Sequence, residues 1–294
     1  GVKTIPLTVL VHDGPIARGY LAALSQAGFH PERIILMIQD RHPGTGKQVG
    51  KWLPARFRLR LAEKAQFLSM FHWPRLLRAT NEDLCQQLIS GISEALDFPA
   101  SLFDALDGRD ALENYSGVVE RVIVADLDDP VLAELLGETA PATVLFTGGG
   151  IVPRHLLEIP ELRVLHTHPG YLPDVRGSDG LLWSYLVHGH PGASCFYMAP
   201  GIDVGDVIAA EKFSAITFPI SETKRPDDQT LYRLIYSLFD PVLRARTFLN
   251  ALSLNDDPAM LPSNPQDGEQ GITYHFMSPE VRRASLLRVF PETT

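Results

Sequence analysis

The sequence predicts an α/β protein with a doubly wound, mostly parallel sheet, an inserted helical segment and a short C-terminal extension. Two observations predict this class. Short apolar runs alternate along the chain with segments whose apolar residues recur at helical spacing. The apolar runs are continuous, as expected for strands buried on both faces by helices. With 45% apolar and 21% charged residues, the 294-residue chain has an ordinary globular composition.

The first strand is predicted over residues 7–11, followed by a Gly14-Pro15 turn and a helix. Further strands are predicted at residues 33–40, 118–124 and 142–147, with a helix over 128–138. In such a sheet, ligands bind beyond the carboxyl ends of the strands. We expect one domain over residues 1–225 and an extension over 226–294.

Residues 41–115 form an insert that is far longer than a strand-to-strand crossover requires. It contains a helix predicted from Asn81 as N-cap and, over residues 41–78, nine Lys and Arg against one acid, Glu63. Such a basic block is either a solvated helix face or a surface that meets an anionic substrate. The insert is the candidate for recognition of that substrate or for contact between the subunits of a homodimer.

The C-terminal extension is predicted to begin with one or two helices over residues 227–252, with a break or kink at Pro241. A polar loop over residues 254–271 follows. A strand and a short helix over residues 274–290 then close the chain.

A His-x-His-Pro turn at the end of a predicted strand is the most informative feature. His166 and His168 are two residues apart, so they point to the same side of the strand. Asp203 follows about 35 residues later in a loop flanked by glycines. The three side chains can therefore share one cleft, which is the layout of an active site.

This region resembles the formyltransferase family that includes glycinamide ribonucleotide, methionyl-tRNA and sugar N-formyltransferases. The hallmark of that family is matched in order and without gaps. The matching residues are His168, Pro169, Gly170, Leu172, Pro173, Arg176, Gly177, Trp183, Gly189, Gly192, Ser194, Asp203 and Gly205. The similarity is good over about residues 118–220, and a weaker echo of sugar N-formyltransferases lies in residues 265–274.

The resemblance implies a formyltransferase-like Rossmann variant that uses 10-formyltetrahydrofolate as co-substrate and needs no metal. His168 matches the general base, and Asp203 matches the carboxylate that orients it. The residues expected to contact the folate are Gly149, Gly150, Ile151, Val152, Pro200, Gly201 and Ile202. Arg176 and Tyr274 are expected to bind substrate, and Trp183 is either a core residue or a substrate contact.

Two positions depart from the family pattern. The asparagine that donates to the formyl oxygen is His166 here, and a histidine before the aspartate is Phe196. His166 can replace the amide as a donor, or it marks a degenerate site that binds folate without turning it over. His166, His168 and Asp203 also match a two-histidine, one-carboxylate metal site, which is the third alternative.

The acceptor is expected to be the amine of a small molecule, most plausibly a nucleotide-linked amino sugar, while hydroxylated ornithine-like amines remain compatible. The net charge of −9 argues against broad nucleic-acid binding. We expect no membrane segment and no signal peptide, hence a cytoplasmic protein. Cys85 and Cys195 are expected to be reduced, buried thiols.

Overall fold

The computed structural model describes residues 1–293. The strands within this range are Lys3–His12 (β1), Phe29–Gln39 (β2), Val119–Val124 (β3), Ala142–Phe146 (β4), Leu162–His168 (β5), Val175–Gly177 (β6), Gly192–Tyr197 (β7), Val207–Lys212 (β8) and Ile272–Tyr274 (β9). The α-helices are Pro15–Gln26 (α1), Ala55–Thr80 (α2), Glu82–Leu96 (α3), Pro130–Thr139 (α4), Arg154–Leu157 (α5), Gly180–His188 (α6), Asp228–Leu234 (α7), Asp240–Leu252 (α8) and Pro279–Val289 (α9).

Within residues 1–293, the central sheet has seven strands in the order β3-β2-β1-β4-β5-β7-β8. The strands from β3 to β5 pair in parallel, whereas β7 and β8 pair antiparallel at one edge. The predicted doubly wound, mostly parallel sheet is confirmed. The strand order reverses between β1 and β4, so the carboxyl ends of the central strands border a crevice suited to ligands.

Burial on both faces explains why β1 is a continuous apolar run. Leu7, Val9 and Val11 point into the larger core on one face of the sheet, and Leu10 points into the smaller core on the other. Successive side chains of a strand alternate between its two faces. Both faces are therefore covered, as the absence of polar alternation indicates.

The insert contains α2, α3 and two short 3-10 turns. The predicted start of α3 and the position of Asn81 at its N-cap are confirmed, but the Asn81 side chain makes no cap hydrogen bond and donates to Thr80 Oγ1 at 3.0 Å instead. Part of the basic block has a local structural role. Arginines of this block donate to backbone carbonyls inside the insert, namely Arg41, Arg58, Arg75 and Arg78.

The C-terminal extension packs into the same core as the sheet. A π-helical turn, Ile235–Phe239, joins α7 to α8 immediately before Pro241. Because proline supplies no N–H, the regular helical hydrogen bonds change at this position, as predicted. Further along, β9 pairs in parallel with β6 and so ties the extension to the hallmark region.

Among residues 1–293, no helix combines the length and the apolar composition needed to cross a bilayer. Cys85 and Cys195 are free and buried, as predicted.

Candidate active site

A cavity of about 380 Å³ opens where β4 and β5 end. Its walls come from the glycine loop after β4, the end of β5, the loop before β8, the C-terminal helices and the segment around β9. The lining residues are Gly148, Gly149, Gly150, Ile151, His166, His168, Pro169, Gly177, Ser178, Asp179, Gly180, Met198, Gly201, Ile202, Asp203, Tyr232, Tyr236, Asp240, Arg244, Thr273, Tyr274, His275 and Phe276. The three polar residues of the His-x-His…Asp pattern thus share one cavity.

His168 is a buried imidazole whose two nitrogens both face acceptors. Its Nε2 lies 2.9 Å from the carbonyl oxygen of Val175, so Nε2 carries the proton in the neutral ring. Its Nδ1 lies 3.6 Å from Asp203 Oδ2, too far for a hydrogen bond. Burial lowers the pKa of His168, and the charge of Asp203 opposes that shift. A proton arriving at Nδ1 would therefore be shared with Asp203.

The backbone of the hallmark loops holds Asp203 in place. Its Oδ2 accepts the N–H of Gly177 at 2.9 Å, and its φ is +54°. Two residues later, a Cβ on Gly205 would lie 1.6 Å from the carbonyl oxygen of Tyr197. The Asp-x-Gly spacing is therefore required sterically, because only glycine lets this loop approach β7.

His166 is fixed between two aromatic rings. Its ring centroid lies 5.6 Å from that of Phe146 and 5.9 Å from that of Phe196. Its Nδ1 lies 2.9 Å from the carbonyl oxygen of Phe146. Burial, followed by the nearby charge of Arg244, lowers the pKa of His166 to about 4. The ring is therefore neutral near pH 7, and its proton resides on Nδ1, because a carbonyl can only accept.

The loops expected to contact folate lie on two sides of the cavity. Gly149, Gly150 and Ile151 line it, and the Ile151 side chain is 63% exposed. Gly201 and Ile202 line the opposite wall. By contrast, Val152 is buried in the smaller core, and Pro200 does not line the cavity. Most of the expected contact residues are thus placed together.

The two expected substrate contacts have different positions. Tyr274 lines the cavity and stacks on Trp183 with ring centroids 4.6 Å apart. Arg176 is buried outside the cavity, where it donates to Gln266 Oε1 at 3.0 Å and to the carbonyl oxygen of Gln270 at 2.8 Å. The Gln266 amide in turn donates to the carbonyl oxygens of Asp203 and Gly205. Arg176 therefore anchors the segment that closes over the Asp203 loop.

Two polar clusters in the cavity were not foreseen. In the first, Asp179 accepts from the hydroxyls of Tyr232 and Tyr236, each at 2.7 Å. In the second, Asp240 and Arg244 form a buried ion pair one turn apart on α8. The spacing of four residues between Asp240 and Arg244 is a sequence pattern that indicates an ion pair on one face of a helix. Nothing in the sequence shows that either cluster reaches the cavity.

The insert contributes no lining residue to this cavity within the part of the chain that is described. Arg60 and Lys64 of α2 instead border a separate groove of about 430 Å³, together with Arg18 and Asp13. The two proposed roles of the insert therefore remain predictions.

In residues 1–293, no three His, Cys, Asp or Glu side chains form a group that could hold a metal ion. The two-histidine, one-carboxylate interpretation gains no support from this arrangement.

Comparison with known proteins identifies relatives of part of the chain. A methionyl-tRNA formyltransferase of Myxococcus xanthus (strain DK1622) is 31% identical over 176 residues, which cover 56% of this chain and 52% of the relative. The same enzyme of Syntrophus aciditrophicus (strain SB) is 33% identical over 89 residues, covering 29% and 28%. Over the aligned part, the chain is homologous to methionyl-tRNA formyltransferases.

The aligned parts span about half, or less, of the length of these curated formyltransferases. No family model matches the chain. Among solved structures, a 4-N formyltransferase from Francisella tularensis aligns over 98% of this chain and 89% of its own chain, with 12% identity and a TM-score of 0.47.

Proposed function

We propose that the protein is an N-formyltransferase that moves the formyl group of 10-formyltetrahydrofolate to the amine of a small molecule. The observation that carries this proposal is the convergence of His168, Asp203 and the Gly149–Ile151 loop on one cavity. Homology to formyltransferases over part of the chain supports the same reaction. A pterin ring can approach the glycine loop closely, because side chains are missing there.

The arrangement can carry the proton transfers that acyl transfer to an amine requires. The attacking amine must lose a proton, and the leaving nitrogen must gain one. Nδ1 of His168 can receive a proton, since Nε2–H is already directed at Val175, and Asp203 stabilises the imidazolium that results. A single buried pair therefore serves both transfers.

For the acceptor, we propose a nucleotide-linked amino sugar. Thr273 and Tyr274, at the end of the segment of residues 265–274 that echoes sugar N-formyltransferases, line the cavity, and Tyr274 stacks on Trp183. A half-buried aromatic ring of this kind suits a base or a sugar ring. Hydroxylated ornithine-like amines are the competing acceptors for the same cavity.

The first experiment measures folate binding. 5-Formyltetrahydrofolate should raise the melting temperature by mass action, with calorimetry as confirmation. The second measures formamide production from 10-formyltetrahydrofolate with nucleotide-linked amino sugars and ornithine-like amines. His168→Gln and Asp203→Asn should each lower kcat at least about 100-fold. His190→Gln is the matched control, because His190 does not line the cavity. The absence of folate binding at millimolar ligand would refute the proposal.

A folate-binding protein without turnover is the second candidate, and one observation favours it. His166, at the position of the expected formyl-oxygen donor, has its ring proton directed at Phe146 and away from the substrate space. Saturable folate binding, with no formyl transfer to any amine and no hydrolysis, would select this candidate.

A further inference from the structure

His166 lines the cavity, and the protonation of its two ring nitrogens determines which hydrogen bonds it can make there. Its Nδ1–H donates to the carbonyl oxygen of Phe146 at 2.9 Å, and Nε2 has no hydrogen-bond partner within residues 1–293. In a neutral imidazole only one nitrogen carries a proton, so Nε2 offers a lone pair. The neutral ring can accept a hydrogen bond there but cannot donate one. The developing oxyanion therefore requires a donor from another residue.

Arg244 lies in the same cavity and has donors to spare. Its Nη1 donates to the carbonyl oxygen of Thr167 at 3.2 Å, between the two histidines of β5. Its Nε and Nη2 donate to Asp240, the latter at 3.3 Å. A guanidinium carries five N–H groups. Two of them are left without a partner among the described residues.

The positive charge of Arg244 is also secured. Burial by itself would lower the pKa of Arg244, but the fully buried carboxylate of Asp240 more than offsets this, and the pKa is raised. The group is held in place by Asp240 and Thr167 before any ligand arrives. A fixed, water-shielded cation of this kind is the type of group that stabilises an oxyanion most effectively.

We propose that Arg244 is the donor to the formyl oxygen, and that His166 accepts a hydrogen bond from the attacking amine through Nε2. This inference rests on the proposed formyl transfer. It assigns the two roles to residues 78 positions apart, one on β5 and one on α8. Neither role depends on protonating His166.

Formyl transfer consists of addition of the amine to the formyl carbon and departure of N10. The amine lone pair forms a bond to the formyl carbon, and the carbonyl π electrons move to oxygen, where the Arg244 N–H groups meet the negative charge. The amine proton passes to Nδ1 of the His168–Asp203 pair. The carbonyl then re-forms as the bond from carbon to N10 breaks, and N10 takes the proton held on His168 Nδ1, which regenerates the neutral imidazole. The products are the formamide and tetrahydrofolate.

The competing explanation is that Arg244 and Asp240 form an ion pair with a purely structural role. The two explanations predict different affinities for a formylated and an unformylated folate analogue. The probes are 10-formyl-5,8-dideazafolic acid and the same molecule without its formyl group, each titrated by calorimetry. The wild type should bind the formylated probe more tightly. Arg244→Met should reduce that preference by about tenfold or more, the usual contribution of a charged hydrogen bond. A structural pair would weaken both probes equally.

Arg246→Met is the matched control. Arg246 lies two residues further along α8, outside the cavity, and donates to the carbonyl oxygens of Leu96 and Asp97. Its loss should leave the preference for the formylated probe unchanged. If Arg244→Met alone unfolds because Asp240 is left unpaired, Asp240→Leu combined with Arg244→Met removes both charges and should show the same loss of preference.

Turnover gives the second readout. Arg244→Met should lower kcat by about two to three orders of magnitude, as removal of one oxyanion donor does. A wild type that binds neither probe would refute the proposed function, and the role of Arg244 with it. A wild type that discriminates between the probes, with Arg244→Met discriminating equally well, would overturn the role of Arg244 alone.

Discussion

The Nδ1 atom of His168 and the Oδ2 atom of Asp203 face each other across 3.6 Å with no proton between them. The ring proton of His168 is on Nε2, directed at Val175. The pair is therefore ready to take up one proton, and the resulting N–H would bridge the gap. This relationship determines what each substitution at the site should do.

Asp203→Asn should lower kcat at least about 100-fold, because general acid–base catalysis contributes that much or more. The carboxylate raises the pKa of His168 against burial, so its loss should lower that pKa further. Steady-state kinetics and a histidine NMR titration measure both effects. An unchanged His168 pKa in a folded, inactive variant would contradict this coupling.

His166→Asn should be nearly as inactive as His166→Ala, although it restores the residue expected from the family. The reason is that His166 serves as an acceptor through Nε2, a role that an amide oriented by the Phe146 carbonyl would not reproduce. Single-turnover rates with 10-formyltetrahydrofolate test this. Activity of His166→Asn within tenfold of the wild type would instead indicate that residue 166 donates to the formyl oxygen.

Stability should fall with acidification, in part through His166. Its folded pKa of about 4 lies below the ordinary histidine pKa of 6.5, so the unfolded state binds the proton first. The contribution is fully present above pH 6.5 and is lost as the pH falls towards 4. Between pH 7 and pH 5 it amounts to about 2 kcal/mol of unfolding free energy.

Urea unfolding of the wild type and His166→Asn at both pH values isolates this contribution. The variant should lose less stability than the wild type on going from pH 7 to pH 5. Parallel losses in the two proteins would show that His166 does not titrate with a depressed pKa.

Gly205→Ala should destabilise the protein by about 3 kcal/mol, the upper end for overpacking. Its Cβ would lie 1.6 Å from the Tyr197 carbonyl oxygen, so the Asp203 loop would have to move. Gly137→Ala is the control, because it lies in α4 with nothing within 4 Å of its Cβ. The control should be neutral or stabilising by up to about 1 kcal/mol. Equal melting temperatures for the two variants would contradict the steric argument.

Arg60→Ala combined with Lys64→Ala should leave the acceptor KM unchanged, because both residues border the separate groove and not the catalytic cavity. Tyr274→Ala should raise the acceptor KM, because it removes a side chain from the cavity wall. A tenfold increase in KM for the arginine and lysine pair would assign acceptor recognition to the insert.

The sequence was sufficient for the parallel part of the sheet, β1 to β5, and for the hallmark side of the site, whereas the antiparallel edge strands β7 and β8 were not predicted. Continuous apolar runs such as residues 34–38 must be covered on both faces, and His166 and His168 must point the same way from one strand. The position of Arg244 could not be predicted in this way. Its place in the cavity depends on how α8 packs against the end of β5, which is a tertiary relationship without a local pattern.

The same limit applies to the details of local structure. Asn81 occupies the N-cap position that its residue type predicts, yet its side chain bonds to Thr80 Oγ1 and makes no cap hydrogen bond. Arg176 matched a hallmark position, and only the fold shows that it holds Gln266 and the 266–270 segment. Residue type constrains the chemistry of a side chain, while its partner is set by packing.

The participation of Thr273, Tyr274, His275 and Phe276 in the cavity wall makes enclosure of the site depend on the pairing of β9 with β6. The two histidines belong to the central sheet, whereas this wall comes from a segment about a hundred residues further along the chain. Loss of the contact between β6 and β9 would therefore leave the histidines without an enclosed site. Competence for folate chemistry should thus depend on a long-range contact as well as on the strand that carries the histidines.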